Sequence, residues 1–478
     1  MSLIIVQHDP SIILPEIVQP LTITNTDETG VENTGNTTGT LQTRITGIIH
    51  PLLSLNGFTV DFEDIESFEL SGTNALPSCS FSFRDKKHVF SQLSNPGPNN
   101  QLQVQIIPPY DGAYKKINLL FYCTKLDITG NLVSGTGQYG ASDFQQAQYK
   151  AYGLTSTWEL CNTISSELQL GFASNCENTD DSRYVYCNYK SYSDLISDEM
   201  SISESTETRI MDWWIDFWNY LVLCDIYERY NTEDTEEDMR IYINSNPPDT
   251  SIDASTPEPL ETDAVLIHHP SFAKTELYVE EYTMINNTYL GWYQGTTKME
   301  SIYSYDSKDY VDNFIMNGDV DESAETVVYE YGGEYYGDYN YKLAETAHEF
   351  YLNKMNMEQV QVTLNMPQLG ITRGSQVRLV WYDNDTSNTM WRNAFEGEDG
   401  NGLTPISNLD LGWLSDYVTA TGSGTDDVIP LSVNLQVSGQ YTVTGIVITF
   451  ENYQWSETLT LVRPASRKIQ ILPNEEET

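Results

Sequence analysis

The sequence predicts a β-rich α+β chain in which two β units are split by an α+β insertion. Three observations along its 478 residues support this class. Residues 45–148 contain short segments in which apolar and polar residues alternate, as in strands. Residues 149–265 contain helical periodicity, and strand patterns return over 266–465. Strands and helices that occupy separate stretches indicate several domains in one chain.

Composition shifts give the expected domain boundaries. A Gly-, Asn- and Thr-rich stretch, "TNTDETGVENTGNTTGT", is typical of a linker. We therefore expect an N-terminal arm and linker (1–44), a first β unit (45–148), an inserted α+β domain (149–265), a second β unit (266–465) and an acidic tail (466–478). The second β unit contains an acidic, Tyr-rich insertion at about 296–345 and an extra loop at about 391–428.

The first β unit is predicted from four alternating segments, 57–70, 78–85, 102–107 and 117–129. Pro- and Gly-containing turns separate them, and short strands at this spacing favour a small barrel or a sandwich. The glycine-rich "GTGQYG" (135–140) is not followed by a helix pattern. We interpret it as a turn at a strand edge rather than as a phosphate-binding loop.

Two helices are expected in the inserted domain. The first covers 154–172, with Thr155 or Ser156 as its N-cap and Gly171 as its stop. The second covers 192–200, with Ser193 as its N-cap.

The segment 211–230, "MDWWIDFWNYLVLCDIYERY", carries three tryptophans. Its charged residues exclude a membrane-spanning helix, which needs about 20 mostly apolar residues. Apolar residues first recur at helical spacing and then alternate, which predicts a helix over 207–219 and a strand over about 220–228. "MRIYINS" (239–245) would return as a second strand. The aromatic residues are either a domain core or a platform on which a ligand stacks.

The second β unit begins with strand patterns in 274–293 and includes an amphipathic helix over 341–357. Two strands follow in 358–385, and the strongest extended signal is at 430–464. Part of this unit repeats the first one. "QVQI" and "YCTKLDIT" (103–106, 122–129) correspond to "QVRL" and "YTVTGIVIT" (376–379, 441–449). Two related β units would explain this repeat, as would a chance similarity between alternating strands.

Charge and cysteine content exclude several functions. The formal net charge is −45, which argues against stable nucleic-acid binding and against docking on anionic lipid. No signal peptide or membrane-spanning segment is predicted. None of the six cysteines forms a CxxC pair, and this usage fits free thiols in a reducing cytoplasm: Cys79, Cys123, Cys161, Cys176, Cys187 and Cys224.

No catalytic, cofactor-binding or metal site is predicted. The histidines lack zinc-site spacing, and adjacent His268 and His269 would point to opposite faces of a strand. "NGDVDE" (317–322) and "DNDTS" (383–387) lack the glycine and the final glutamate of a calcium loop. Motifs of nucleophilic hydrolases and nucleotide-binding loops are missing. A hydrolase with two carboxylates stays an alternative, but 69 acidic residues make any one pair uninformative.

Several segments, taken in order, resemble the baseplate hub protein of contractile-tailed bacteriophages, related to late control protein D and to the hub part of type VI VgrG. The first β unit, with "CSFSFRD", "NNQLQVQI" and "INLLFYCTKLDITG", is similar to the first tube-like barrel of that family. "TSTWELCNTISSELQLGFASN", "YCNYKSYSDLISDEM" and "YLVLCDIYERYN" resemble its inserted domain. "HEFYLNKMNMEQVQVTLNMPQLGITRGSQVRLVWYDNDTS" and "YTVTGIVITFENYQWSETLTLVR" resemble its second barrel. The long arm and the loop at 391–428 depart from the family pattern.

The resemblance implies two tube-like antiparallel β-barrel domains and a structural, non-enzymatic virion protein without cofactors. It implies a homotrimer whose six barrels adapt a six-fold tail tube to a three-fold spike and form part of the DNA-ejection conduit. Expected partners are the central spike, the tail tube or tube-initiator protein and other baseplate (wedge) proteins. The expected location is the tail baseplate of a virion assembled in the host cytoplasm. The alternatives are a virion-associated polysaccharide or peptidoglycan hydrolase and a glycan-binding tail adhesin.

Overall fold

A computed structural model gives the architecture of the chain. It describes residues 4–17, 25–26, 32–33, 51–90, 100–107, 116–140, 142–179, 181–203, 211–226, 229, 239–243, 276–279, 281–287, 295–301, 307–312, 327–331, 358–364, 367–369, 371–381 and 439–463. The predicted helix at 341–357 and the predicted loop at 391–428 lie outside these residues.

The N-terminal region contributes three strands and the first β unit seven. The arm contains β1 (Ile5–His8), β2 (Asn25–Thr26) and β3 (Glu32–Asn33). The unit contains β4 (Pro51–Leu55), β5 (Phe58–Thr59), a 3₁₀ turn at Phe62–Asp64, β6 (Ile65–Ser71), β7 (Ser78–Arg84), β8 (Gln101–Ile106), β9 (Ile117–Thr129) and β10 (Leu132–Tyr139). The four predicted segments are therefore confirmed as containing strands.

The predicted turn at 135–140 is wrong, because residues 135–139 lie within β10. β10 pairs with β7 on one side and with β9 on the other. Two of its glycines allow this close packing: a Cβ on Gly135 would lie 2.6 Å from the Lys125 carbonyl oxygen and 2.8 Å from the Phe81 ring. A Cβ on Gly137 would lie 2.9 Å from the Phe121 Cβ. The glycines thus serve strand packing rather than a turn.

The inserted domain contains α1 (Ser142–Gln145), β11 (Gln148–Thr155), α2 (Thr157–Glu167), β12 (Gly171–Ser174), β13 (Arg183–Lys190), α3 (Tyr192–Ser201), β14 (Met211–Ile215) and β15 (Tyr220–Asp225). Arm strand β1 joins its buried sheet in the order β1-β12-β15-β14. β11 and β13 form a separate two-stranded ribbon. The two predicted helices are confirmed as α2 and α3.

The helix ends differ in part from the prediction. Ser156 caps α2 in a capping box with Glu159, so the second of the two predicted caps is correct. Gly171 does not stop this helix: Gln169 takes the left-handed conformation at φ 59°, and Gly171 begins β12 against the Tyr220 ring. Ser191, rather than Ser193, caps α3, because its hydroxyl accepts the Asp194 backbone N–H at 3.1 Å.

The helix predicted at 207–219 is wrong over 211–219. These residues form β14 and a tight turn into β15. The Asp216 carboxylate closes the turn by accepting the backbone N–H groups of Trp218 and Tyr220, both at 2.8 Å. The apolar spacing of three and four residues therefore came from a hairpin buried on both faces, which periodicity cannot distinguish from a helix.

The rest of the chain forms β16 (Met239–Ile243), β17 (Glu276–Val279), β18 (Glu281–Asn287), β19 (Gly295–Ser301), β20 (Ser307–Asp312), β21 (Val327–Tyr331), β22 (Glu358–Leu364), β23 (Gln376–Trp381), β24 (Gly439–Glu451) and β25 (Gln454–Arg463). β16 confirms the predicted strand at 239–245. However, it runs parallel to β17 and β23 instead of returning beside β15. β19, β20 and β21 form a three-stranded sheet of their own.

Both β units have the same strand topology. In the first unit, the chain-order strands β6, β7, β8, β9 and β10 lie in the sheet order β6-β7-β10-β9-β8. In the second unit, β18, β22, β23, β24 and β25 lie in the order β18-β22-β25-β24-β23. All these neighbours are antiparallel. The repeat seen in the sequence thus corresponds to a repeated fold.

The repeat extends to individual residues. β9 and β24 each have 13 residues, and a two-residue turn follows each of them. Gln103 lies opposite Leu120 in the first unit, and Gln376 lies opposite Thr442 in the second. When the pair Gln103–Leu120 is aligned with the pair Gln376–Thr442, the turns that follow β9 and β24 are aligned as well. Chance alternation does not explain a shared strand order, strand length and register.

The two units belong to one 14-stranded sheet, joined where β6 pairs with β24. Within the described residues this sheet is open, and its main path ends at β17 and β5. The chain is therefore β-rich with α+β character, and closed tube-like barrels stay a prediction. None of the described helices has the length and apolar character needed to span a membrane.

Candidate assembly edges

The joint between the two β units is a short antiparallel ladder. Residues 447–451 of β24 pair with residues 67–71 of β6. β24 can hold two neighbours on this edge because its beginning, residues 439–442, pairs with β23. Phe450 lies opposite Phe68 at the centre of the joint, and both rings are buried. The joint is thus a continuous sheet with an apolar core behind it.

Two edges equivalent to those of the joint remain open within the described residues. In the first unit, β9 corresponds to β24, and β8 pairs only with its residues 117–122. Within the described residues, residues 125–129 of β9 therefore have no strand on the side where the equivalent residues of β24 pair with β6. In the second unit, β18 corresponds to β6 and pairs only with β22. One chain therefore contains a completed joint and both halves of a second one.

Superposing the two units gives the register that the second joint would have. The pair Val447–Ser71 of the existing joint corresponds to Lys125 and Thr283. An open strand edge presents unpaired N–H and C=O groups, and these pair readily with another strand. The two open edges lie on different units, so one chain would offer β18 to the β9 of another copy.

The inserted domain is fastened to both β units. On the first, the Ile215 N–H donates to the Ala75 carbonyl at 2.7 Å, and the Tyr139 hydroxyl lies 2.7 Å from Asn219 Oδ1. On the second, the Arg373 guanidinium pairs with the Asp212 carboxylate at 2.5 Å. Its Cζ also lies 5.0 Å from the centre of the Trp214 ring. The domain therefore spans the joint and fixes the angle between the units.

The tryptophans Trp213, Trp214 and Trp218 are all buried. Of the two interpretations of this segment, an aromatic core is confirmed and a ligand-stacking platform is not. Trp213 packs against Phe144 with ring centroids 5.8 Å apart, and its indole N–H donates to the Ser197 hydroxyl at 3.2 Å. These contacts hold β14 against α3.

A buried ionic cluster ties the helices of the inserted domain together. The Arg183 guanidinium donates to Asp181 at 2.7 Å and lies 2.6 Å from Glu199. Asp181 also accepts the hydroxyl of Thr157, the first residue of α2, at 2.5 Å. Burial raises the pKa of the Glu199 carboxyl, although Arg183 opposes the shift. Every member has a polar partner in the cluster, so its arrangement is structural.

The arm crosses the inserted domain and reaches the first β unit. The Tyr220 hydroxyl donates to the Asp9 carboxylate, and the His8 imidazole lies 3.2 Å from the hydroxyls of Ser165 and Ser166. Further along, the side-chain amide of Gln103 donates to the Pro15 carbonyl at 2.5 Å. The Gln105 amide accepts the Ile17 N–H at 3.1 Å and donates to Pro15 at 3.3 Å. His8 thus has a packing role.

The remaining candidates for chemistry either lie outside the described residues or form no cluster within them. His268, His269 and both acidic segments considered for calcium lie outside the described residues. Within the described part of the chain, no group of three or more His, Cys, Asp or Glu side chains could hold a metal ion. All six cysteines are free thiols, and burial raises the pKa of Cys123 to about 11.

One buried carboxyl was not anticipated. Glu457 of β25 is 1% exposed and points into the core of the second unit. Burial raises the pKa of its carboxyl to about 8, and the Gln368 N–H donates to it at 2.6 Å. A single buried acid among apolar residues carries no sequence signal, because 69 acidic residues surround it in the chain.

The ribbon of β11 and β13 exposes an aromatic surface. Its large exposed aromatic and aliphatic side chains, here called the tyrosine ribbon, are Tyr149, Leu154, Tyr184, Tyr186 and Tyr189. The other face of the ribbon is buried through Val185 and Cys187. Exposed apolar groups that cluster in this way mark interaction surfaces more often than single exposed residues do.

The chain was also compared with known proteins. No protein-family model and no curated protein sequence matches it. Among solved structures, it is similar to a tail protein from Neisseria meningitidis MC58, with 8% identity over 87% of this chain and 96% of that one and a TM-score of 0.47. It is similar to the 43 kDa tail protein of prophage MuSo2 from Shewanella oneidensis, with 7% identity, coverage of 88% and 100%, and a TM-score of 0.46. It also resembles the E. coli c3393 protein, a component of the type VI secretion system, with 9% identity, coverage of 88% and 80%, and a TM-score of 0.39. All three TM-scores lie below 0.5.

Proposed function

We propose that the chain is a baseplate hub subunit, a structural virion protein that adapts a six-fold tail tube to a three-fold central spike. One observation carries the proposal: two β units of one topology are joined edge to edge, and the same chain retains the two edges of an equivalent joint. A contact between different surfaces repeats until it closes into a ring or extends into a filament. Three copies would close a ring of six similar units.

The two symmetries follow from the two kinds of joint in such a ring. The β6·β24 joint lies within a chain, and the β18·β9 joint would lie between chains. Because the units share topology, the ring presents six similar edges to a six-fold tube. Because each chain has one inserted domain, the ring also presents three identical features to a three-fold spike. Tube, spike and wedge proteins are therefore the proposed partners.

The net charge is consistent with a conduit. A chain with a formal charge of −45 repels DNA instead of retaining it. A genome that is ejected through the hub must not stay bound to it. The proposed location is accordingly the baseplate of a phage tail, with assembly in the host cytoplasm and no enzymatic role.

Oligomer mass tests the proposal directly. Light scattering on the full chain should give a mass near three times 54.2 kDa, alone or with a spike protein added. A chain that stays monomeric at high concentration, both alone and with spike, contradicts the proposal.

A crosslink tests the register of the second joint. In the double variant Lys125→Cys/Thr283→Cys, oxidation should link copies covalently, because these positions would be cross-strand partners. The matched control is Lys125→Cys/Thr297→Cys, whose second cysteine lies in β19 of a different sheet. Equal crosslinking of both variants, or none in either, rules out the β18·β9 joint.

The tyrosine ribbon favours a second candidate function, a glycan-binding tail adhesin. Tyrosine rings that are 62–77% exposed can stack on sugar faces. Binding of purified bacterial surface polysaccharide to the parent chain, and its loss in Tyr184→Ala/Tyr186→Ala, would favour the adhesin. Absence of binding in the parent would remove this alternative.

A further inference from the structure

Residues 4–17 of the N-terminal arm, here called the strap, lie on all three parts of the chain. At the start of the strap, Ile4 Cδ1 lies 2.9 Å from the position that a Cβ on Gly374 of the second unit would take. β1 then pairs antiparallel with β12 and extends the sheet of the inserted domain. At the end of the strap, the Ile17 N–H donates to the Gln105 side chain on β8 of the first unit at 3.1 Å. The strap therefore fastens both β units to the inserted domain.

The surface beneath the strap is built for an extended strand. Gln169 has a left-handed backbone, with φ 59°, and its carbonyl accepts the N–H groups of Ser11 and Ile12, both at 3.0 Å. Such a conformation is costly for a residue other than glycine. The buried amides of Gln103 and Gln105 bond to backbone groups of the strap and would lose these partners without it. We call this surface, which recognises main-chain groups as in strand addition, the strap groove: β12, Gln169, Gln103 and Gln105.

The connection from the strap to the first unit is much longer than its ends require. Ile17 bonds to Gln105 of β8, and Pro51, which begins β4, lies opposite the next residue of β8, Ile106. Neighbouring strands lie about 5 Å apart, so the two ends are within roughly 15 Å of each other and about five extended residues would bridge them. The connection instead runs from residue 18 to residue 50, and connections longer than about 15 residues are usually functional or serve as linkers.

This connection is long enough to reach a neighbouring copy. β2 and β3 pair with each other within it, so residues 25–33 do not add to its reach. Residues 18–24 and 34–50 remain. For a Gly-rich chain of that length the average end-to-end distance is roughly 25–30 Å, and the limit of extension is about 80 Å. A small domain is about 30 Å across, so the strap groove of an adjacent copy lies within this range.

The proposed ring contains two kinds of joint, and only one of them is reinforced within a chain. The β6·β24 joint lies within a chain, and the inserted domain contacts both of the units that it connects. The β18·β9 joint would lie between chains, without a covalent connection across it. A strap that passes from one copy to the next would fasten this second joint. Exchange of an identical element between copies achieves this without new contacts, because strap and groove are the same in every chain.

We propose that the strap groove of each copy holds the strap of a neighbouring copy, so that the three chains of the ring exchange their straps. This inference rests on the hub function proposed above. The contacts described here stay the same after the exchange, because only the chain that supplies the strap changes. A subunit could then leave the ring only if straps left their grooves, which would deprive Gln103 and Gln105 of their partners. The exchange thus converts a fastening within one chain into a fastening between chains.

Crosslinking tests which copy supplies the strap. Glu16 of the strap and Lys116 of the first unit form an ion pair whose side chains are 67% and 42% exposed. In Glu16→Cys/Lys116→Cys, a short bis-maleimide should join thiols of different chains and give covalent dimers and trimers on a denaturing gel. The matched control is Glu66→Cys/Arg84→Cys, another exposed ion pair, whose residues lie on the neighbouring strands β6 and β7. This control should crosslink only within a chain and stay at 54.2 kDa.

The trimeric mass is measured before crosslinking, so the two proposals can fail separately. A monomer under every condition contradicts the hub function and removes the exchange with it. A trimer in which the strap pair crosslinks only within single chains overturns the exchange and leaves the hub intact. A trimer in which the control pair reacts and the strap pair does not also overturns it, since the strap would then be absent from the groove. The parent, whose six thiols are free, provides the background.

The length of the connection provides an independent test. Replacing residues 18–50 with a Gly/Ser linker of about six residues lets the strap reach its own groove but not that of a neighbour. This variant should keep the circular dichroism of the parent, and its trimer should dissociate at concentrations higher by roughly ten-fold or more. A Gly/Ser linker of the original length is the matched control and should behave like the parent. Equal dissociation of the short-linker and long-linker trimers overturns the exchange.

Discussion

The two β units have one topology but fill the same core position in different ways. In the first, Gly135 of β10 lies between Phe81 and Leu126, and the Phe81 ring covers it. In the second, the equivalent residue is Glu457, between Leu364 and Ile448. In the first unit the large Phe81 ring covers a glycine, and in the second the smaller Leu364 lies beside the longer Glu457 side chain. The two pairs of residues fill comparable space. The comparison shows that strand order tolerates quite different core packing.

A second difference concerns the glutamines Gln103 and Gln376, which are equivalent by register. In the first unit, the arm covers Gln103, and its amide donates to Pro15 and to Asn118. In the second unit, neither amide atom of buried Gln376 has a hydrogen-bond partner among the described residues, and neither does the hydroxyl of Thr442 opposite it. The same residue type therefore anchors a segment in one unit and only fills space in the other.

The largest effect is expected when Gly135 of the first unit is replaced by the residue at the equivalent position of the second unit, which is Glu457. Gly135→Glu would force a side chain into space held by the Lys125 backbone and the Phe81 ring, and would bury a carboxyl without a donor. We expect a loss of roughly 4–6 kcal/mol, enough to unfold the first unit. Chemical denaturation monitored by circular dichroism would measure it. The control is the adjacent Thr136→Ala, and equal stability of both variants would refute the packing difference.

The next effect depends on pH and concerns the second unit. Burial raises the pKa of the Glu457 carboxyl from its usual 4.5 to about 8, so folding favours the protonated form. Its contribution to stability is complete below pH 4.5 and is lost as pH rises towards 8, at up to roughly 1.4 kcal/mol per unit.

Glu457→Gln keeps an acceptor for the Gln368 N–H and removes this dependence. The variant should be more stable than the parent by a few kcal/mol at pH 8–9, and the two should converge near pH 5. Melting curves across this range provide the test. Parallel pH profiles would show that Glu457 is ionised in the folded chain throughout.

A smaller effect is expected from the paired glutamines. Gln103→Leu removes a donor to Pro15 and should cost about 1–2 kcal/mol and increase protease cleavage in the arm. Gln376→Leu removes buried polar atoms that lack partners, so it should be neutral or stabilising. Denaturation midpoints and limited proteolysis would compare the two. Equal losses would mean that Gln376 has a partner in solution.

The smallest effect is expected at an exposed ion pair of β9. Lys125 and Asp127 form an exposed pair, with side chains 68% and 54% exposed. Lys125→Ala should leave the melting temperature unchanged at low and high salt, because water screens such pairs. A salt-dependent loss would show that this ion pair stabilises the folded chain.

Sequence patterns predicted most strands of both β units because one face of each strand is buried and the other is not. They failed in β14, which is buried on both faces and was predicted as a helix, and in β10, where glycine replaces side chains. The strand predicted at about 220–228 is confirmed as β15. The repeat was detectable at "QVQI" and "QVRL", where the two units carry similar residues at equivalent positions. The open edges were not detectable, because an edge is defined by which neighbour a strand lacks.

The sequence by itself determined the β-rich class, the α+β character of the region between the strand-rich ones and the negative charge, and it indicated a repeat that the shared strand order then established. These properties depend on local periodicity and composition, which act over a few residues. Only the tertiary structure decided that the units join through β6 and β24, and that the insertion spans this joint. Those properties depend on register between strands hundreds of residues apart, and no local pattern specifies such a pairing.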